Sequence, residues 1–117
     1  MKKGNLIIDL TFQFSLDIIA YTEKLEDQRK YVMAKQLLKS GTSIGANVRE
    51  AQAGESKNDF IHKLKISEKE AEETEYWLLL CKHASNYPDP GKLLETIGSI
   101  KKIIGKIIIT MKNNRNN

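Results

Sequence analysis

Few residues in this chain are equipped for chemistry: His62, His83, the single cysteine Cys81, and a crowd of glutamates at 68, 70, 72, 73 and 75. A di-metal centre in a helical bundle draws several inward glutamates and two Glu-x-x-His pairs from neighbouring helices. Only Asp59-x-x-His62 approaches that spacing, and Leu80 stands where His83 would need its acid. Cys81 ends an apolar run from Trp77 with no base pattern beside it, which reads as a small core residue and not a nucleophile. Lys39-Ser40-Gly41-Thr42-Ser43-Ile44-Gly45 resembles a phosphate loop only superficially. It lacks the Gly-Lys-Ser/Thr ending and follows a helical stretch instead of a strand. Ser99-Ile100-Lys101-Lys102 matches Ser-x-x-Lys without the companion acyl-transfer motifs. Neither histidine has an arginine four to seven residues upstream, a spacing common in helical RNases. The residues therefore point to no catalytic site, no metal and no cofactor, and to binding in place of catalysis.

Three polar patterns could serve binding. Gln36, Ser40, Ser43, Asn47 and Glu50 recur at spacings of 4, 3, 4 and 3, which places them on one helical face. Glu70, Glu73 and Trp77 share another face with Lys63 and Ile66. Both stripes can be read as solvated surface, with Lys65 and Lys69 offsetting charge, or as a polar seam between helices or subunits. The third pattern is basic. From Lys92 onward stand six basic residues, Lys92, Lys101, Lys102, Lys106, Lys112 and Arg115, against one acid, Glu95. The rest of the chain has 13 basic and 14 acidic groups, so the whole net charge of +4 comes from the last quarter. Such lysines either form an ordinary solvated face or track phosphates with salt-sensitive, sequence-independent affinity. No aromatic residue interleaves them, so base stacking is not expected there.

The elements carrying these patterns read as four helices. At 117 residues, 40% hydrophobic and 29% charged, the chain suits one folded domain over 1–117. Its two prolines, Pro88 and Pro90, lie together and leave the remainder uninterrupted. The spacing predicts helices over about 5–25, 29–53, 57–86 and 90–112, with a frayed tail at 113–117. The first carries a conflict. Leu10, Phe12, Phe14, Leu16 and Ile18 alternate as in a strand, yet Ile7, Leu10, Phe14, Ile18, Tyr21 and Leu25 form a helical stripe. No second strand exists to satisfy a lone one, so a helix is expected. The second has the seam Ala34, Leu37, Gly41, Ile44, Val48 and Ala51, with Gly54 as its stop. Gly41 and Gly45 either break it or allow close helix contact, at about 1 kcal/mol each in propensity. The third starts at Ser56 with a capping-box-like sequence and follows Phe60, Leu64, Ser67, Ala71, Thr74, Leu78, Cys81 and Ser85. The fourth would start at Pro90 after an Asp89 cap, with Leu93, Ile97, Ile100, Ile104, Ile107 and Met111 as its seam. Short turns make the expected fold all-α, an antiparallel up-down-up-down four-helix bundle.

Met1-Lys2-Lys3 imitates a signal peptide, but Asp9, Gln13 and Asp17 interrupt the apolar run behind it. The stretch from Ile103 to Met111 holds Lys106 and falls short of the ~20 apolar residues of a membrane span. A cytoplasmic protein is expected.

The stretch Gln36-Leu-Leu-Lys-Ser-Gly-Thr-Ser-Ile-Gly-Ala-Asn-Val-Arg-Glu-Ala51 is followed by Ser56-Lys-Asn-Asp-Phe-Ile-His-Lys-Leu64. Lys69-Glu-Ala-Glu-Glu-Thr-Glu-Tyr-Trp-Leu78 comes after it. Together these segments resemble the bacterial 23S ribosomal RNA intervening-sequence proteins, a four-helix-bundle, ribosomal-protein-like family. The resemblance implies a homopentamer and a kinship with the accessory protein of diversity-generating retroelements, which partners a reverse transcriptase and binds nucleic acid. It transfers no catalytic residue. Gln36, Gly41, Ser43, Gly45, Asn47, Glu50, Glu70, Glu73 and Trp77 belong to the signature segments and suggest packing more than ligand contact. The expectation is a non-enzymatic, oligomeric, RNA-binding protein using Lys101, Lys102, Lys106, Lys112 and Arg115. The alternative is an adaptor for a polymerase or another protein.

Overall fold

A computed structural model describes residues 6–115, with Arg115 described in its backbone alone. It contains four helices, α1 (Leu6–Asp27), α2 (Tyr31–Gln52), α3 (Lys57–His83) and α4 (Leu93–Arg115). They form an antiparallel four-helix bundle in which α2 packs against α1 and α3, and α4 closes the ring against α3 and, more loosely, α1.

In α1 the helical stripe prevails over the alternation. Ile7, Phe14, Ile18, Tyr21 and Leu25 are buried, joined by Thr11 and Thr22. The hydroxyls of Thr11 and Thr22 donate back to the carbonyls of Ile7 and Ile19, so neither buries an unpaired donor. The strand-like pattern arises because α1 is apolar on two sides: Phe14 and Ile18 face the core, while Phe12 and Leu16 face outward.

Helix α2 runs unbroken through both glycines. All six residues of its expected seam are buried, and Ser40 is buried with them. At Gly41 an added Cβ would meet the Ile18 side chain at 2.9 Å, and at Gly45 it would meet the Thr11 carbonyl oxygen at 3.2 Å. The glycines thus bring α1 and α2 together, and packing outweighs their poor propensity. The helix ends at Gln52, before Gly54. Gly54 is not left-handed; it serves the turn by close approach, since a Cβ there would lie 3.1 Å from the Cβ of Asp59.

Ser56 caps α3 as its sequence suggests, its side chain accepting from the Asp59 N–H at 3.1 Å. The expected seam is buried from Leu64 to Cys81, but Phe60 is only half-buried and Ser85 lies beyond the helix end at His83. The connection to α4 is longer than expected. Gly91 takes a left-handed φ of 57°, the Leu93 N–H closes a turn on the Pro90 carbonyl, and α4 begins at Leu93, not at Pro90. Asp89 does not cap α4; it lies 3.6 Å from Lys82 at the end of α3. In α4 the buried row is Leu93, Ile97, Ile100, Ile104 and Ile108. Ile107 and Met111 are half-buried, because a straight helix drifts off a strict heptad and passes the core position to Ile108. The helix continues through 113–115, beyond the expected end at 112, and 116–117 of the expected frayed tail lie outside the described residues.

Each of the fully buried Ile and Leu side chains contributes roughly 1.5–3 kcal/mol by leaving water. Among the described residues, no buried side-chain nitrogen or oxygen lacks a hydrogen-bond partner.

Candidate nucleic-acid interface

The basic residues of α4 divide between two faces. Lys102 and Lys106, four apart, are exposed on the outer face, and among the described residues neither enters an ion pair. Lys101 points instead to α3, where its Nζ lies 2.8 Å from Oε1 of Glu72 and 2.8 Å from Oε1 of Glu75. Hydrogen bonds to Glu72 and then Glu75 hold the Lys101 ammonium above the usual lysine range. Its charge is already answered within the chain, so it ties α4 to α3. Lys112 is half-buried near the end of α4. Arg115 closes that helix, and its side chain lies outside the described residues.

The polar stripe of α2 turns towards α3, and the two helices share a seam. Deepest lies Ser40, whose hydroxyl is 2.9 Å from that of Thr74, while Thr74 also donates to the Glu70 carbonyl at 2.7 Å. Ser67 donates across the interface to the Ile44 carbonyl at 2.8 Å. The two contacts that cross the interface, Ser40 with Thr74 and Ser67 with the Ile44 carbonyl, fix the register of α2 on α3, because a slip of either helix would break both. Further out, Ser43 and Asn47 are half-buried and bond within their own helix, to the carbonyls of Lys39 and Ser43. At the rim Gln36 is exposed, and Glu50 accepts from Lys63 at 2.8 Å. Glu70 stands half-buried beside the seam. Desolvation first, and the neighbouring Glu73 second, push its carboxyl above the usual range, with Lys39 opposing. Trp77 donates from Nε1 to Glu73 Oε2 at 3.2 Å and packs at a tilt against Tyr76. The inner part of the signature is thus a seam between helices of one chain, and its outer part is surface.

Among the described residues no group of three His, Cys, Asp or Glu side chains could hold a metal ion. His62 and His83 are exposed. Burial raises the Cys81 thiol above its usual range, the opposite of what an activated nucleophile requires. Nor is any described helix long and apolar enough to cross a membrane.

A shallow apolar groove between α1 and α2 went unnoticed in the sequence. It has a volume of about 320 Å³ and is walled by Ile8, Phe12, Leu16, Ile19, Ala46 and Arg49, among others. The outward half of the α1 alternation, Phe12 and Leu16, was the available signal for it.

A four-helix bundle with a polar α2/α3 seam and a basic outer face on α4 is therefore the class of protein this chain represents. It belongs to the family of 23S rRNA-intervening sequence proteins, whose family model matches residues 3–108. Its fold is also that of a crystal structure of a protein of unknown function from the S23 ribosomal protein family of Bacteroides thetaiotaomicron. That chain is 40% identical, with a TM-score of 0.83, the match covering 88% of this chain and 98% of the other. Among proteins of curated function, none matches.

Proposed function

We propose that this chain is a non-enzymatic, oligomeric RNA-binding protein of the cytoplasm, with α4 as the helix that meets the phosphates. One observation carries the reading: Lys102 and Lys106 stand exposed on one face of α4 with no acidic partner among the described residues, in a family named for an RNA insertion. Two ammonium groups one helical turn apart can follow a phosphate backbone and release its counterions. Assembly, which family resemblance suggests as a pentamer, would repeat the pair in every subunit and raise the affinity beyond what two lysines supply. The contact reads the shape and charge of a folded RNA, because no aromatic side chain stands among the described residues of α4 to serve as a stacking platform.

The test is a salt titration of binding to a structured ribosomal RNA fragment, comparing the wild type with Lys102→Ala/Lys106→Ala. The double variant is expected to bind more weakly, with the slope of log affinity against log salt reduced by about two per subunit engaged. Unchanged affinity removes α4 as the interface. No RNA affinity in the wild type, together with capture of a polymerase or other protein, replaces RNA binding with the adaptor reading.

A further inference from the structure

We propose that the apolar groove between α1 and α2 receives the ridge of α3, centred on Tyr76, Leu79 and Leu80, from a second copy of this chain. The proposal rests on the oligomeric part of the function above and gives it a location.

The groove is concave and greasy. Phe12, Leu16 and Ile19 keep 55%, 44% and 42% of their surface in water, an outlay that a solitary bundle has no reason to maintain along one stripe. The charge on its wall is Arg49, whose guanidinium carbon lies 5.9 Å from the centre of the Phe12 ring; no acidic residue lines it. The ridge is its counterpart in shape and in sign. Tyr76, Leu79 and Leu80 project from the C-terminal half of α3, 56%, 41% and 38% exposed. Exposed Glu73 precedes them, held beside the ridge by the 3.2 Å hydrogen bond from the Trp77 indole, while its neighbour Glu72 is paired with Lys101 of its own chain. The projecting row on one helix is convex where the furrow between the other two is concave.

Charge selects this pairing over self-matching. Groove against groove brings two concave surfaces together, each with Arg49 as its charge. Ridge against ridge brings two convex surfaces together, each carrying Glu73, which enters no ion pair among the described residues. Both pair surfaces of like charge, whereas groove against ridge joins arginine to glutamate around an apolar centre. Because the groove lies between α1 and α2 and the ridge on α3, two different patches of the surface meet, and the contact is head-to-tail. Such contacts propagate from copy to copy and end in a ring when the rotation closes.

The experiment mixes two surface variants and measures mass by light scattering. The groove variant is Phe12→Ser/Leu16→Ser and the ridge variant Tyr76→Ser/Leu80→Ser. All four positions are exposed, and circular dichroism of each variant verifies that the helices remain. The wild type is expected to be an assembly larger than two chains, and each variant alone a monomer. An equimolar mixture is expected to form a complex that stops at two chains, the intact ridge of one variant seated in the intact groove of the other. A ridge variant that assembles like the wild type overturns the pairing while leaving the oligomer intact. Two monomeric variants that do not combine overturn it as well. A monomeric wild type overturns the oligomeric reading itself, and this placement with it.

Discussion

A β-carbon built on Gly41 would lie 2.9 Å from both Cγ1 and Cγ2 of Ile18, across the contact between α2 and α1. Ile18 is completely buried, so its branched side chain has no solvent into which to retreat. Gly41→Ala should therefore destabilise the bundle by about 1–3 kcal/mol through overpacking, even though alanine is the better helix former by about 1 kcal/mol. Urea unfolding measures the balance. A variant as stable as the wild type would mean that Ile18 repacks freely and that the close approach is incidental.

Lys101 and Lys102 are neighbours in sequence with opposite assignments, and single substitutions should separate them. Lys101→Met keeps the aliphatic stem but removes the ammonium between Glu72 and Glu75, and should cost about 1 kcal/mol of stability. Because the folded-state value of Lys101 is raised, its contribution is complete below the ordinary lysine range and is lost as pH climbs through the folded value. Lys102→Met should leave stability within about 0.5 kcal/mol of the wild type and weaken RNA binding. Thermal melts and RNA titrations on the same two proteins check both halves. Equal RNA losses from both variants would refute the division.

The helical architecture was legible because every helix carries a stripe of apolar or small residues at helical spacing. Ala34, Leu37, Gly41, Ile44, Val48 and Ala51 are all buried, as their periodicity requires. What could not be read were properties of neighbours. Whether Lys101 faces solvent or Glu72 and Glu75 depends on how α4 is rotated against α3, and its sequence offers only a lysine beside another lysine. The start of α4 was misplaced for a local reason. Asp89-Pro90 is a fair capping sequence, but Gly91 adopts the left-handed conformation and delays the helix to Leu93. The α1 alternation was informative in a way that periodicity alone does not reveal: it records one helix with an apolar face inside and another outside. The polar stripe of α2 was ambiguous because a hydroxyl suits both water and a buried partner. Only packing distinguishes Ser40, paired with Thr74, from exposed Gln36.

The Tyr21 side chain helps to tie the long α3–α4 connection back to the bundle. The Tyr21 hydroxyl on α1 donates to the Pro88 carbonyl at 2.6 Å, and burial holds the phenol above its usual range. Tyr21→Phe keeps the buried ring and removes the bond, so stability should fall by about 1 kcal/mol. Hydrogen exchange should quicken at the Leu93 and Thr96 amides, whose bonds to Pro90 and Lys92 start α4. Unaltered exchange at these amides would show that the loop holds its shape without Tyr21.

Glu70 gives the seam a pH dependence of unusual sign. Burial and the adjacent Glu73 make its carboxylate harder to form in the folded chain than in the unfolded one. Between the unfolded value, near ~4.3 for a free glutamate, and the raised folded value, the folded state holds more protons than the unfolded state. Stability contributed by this residue therefore falls as pH rises through that window, and the cost is complete above the folded value. Glu70→Gln removes the charge and keeps the size. It should raise the urea midpoint at neutral pH, and the advantage should shrink as pH is lowered through the window and vanish below it. Glu73→Gln should shift the same profile to lower pH, because one of the two causes has been removed while burial remains. A Glu70→Gln difference that stays constant with pH would mean that the gain comes from amide packing and not from a carboxylate held out of water.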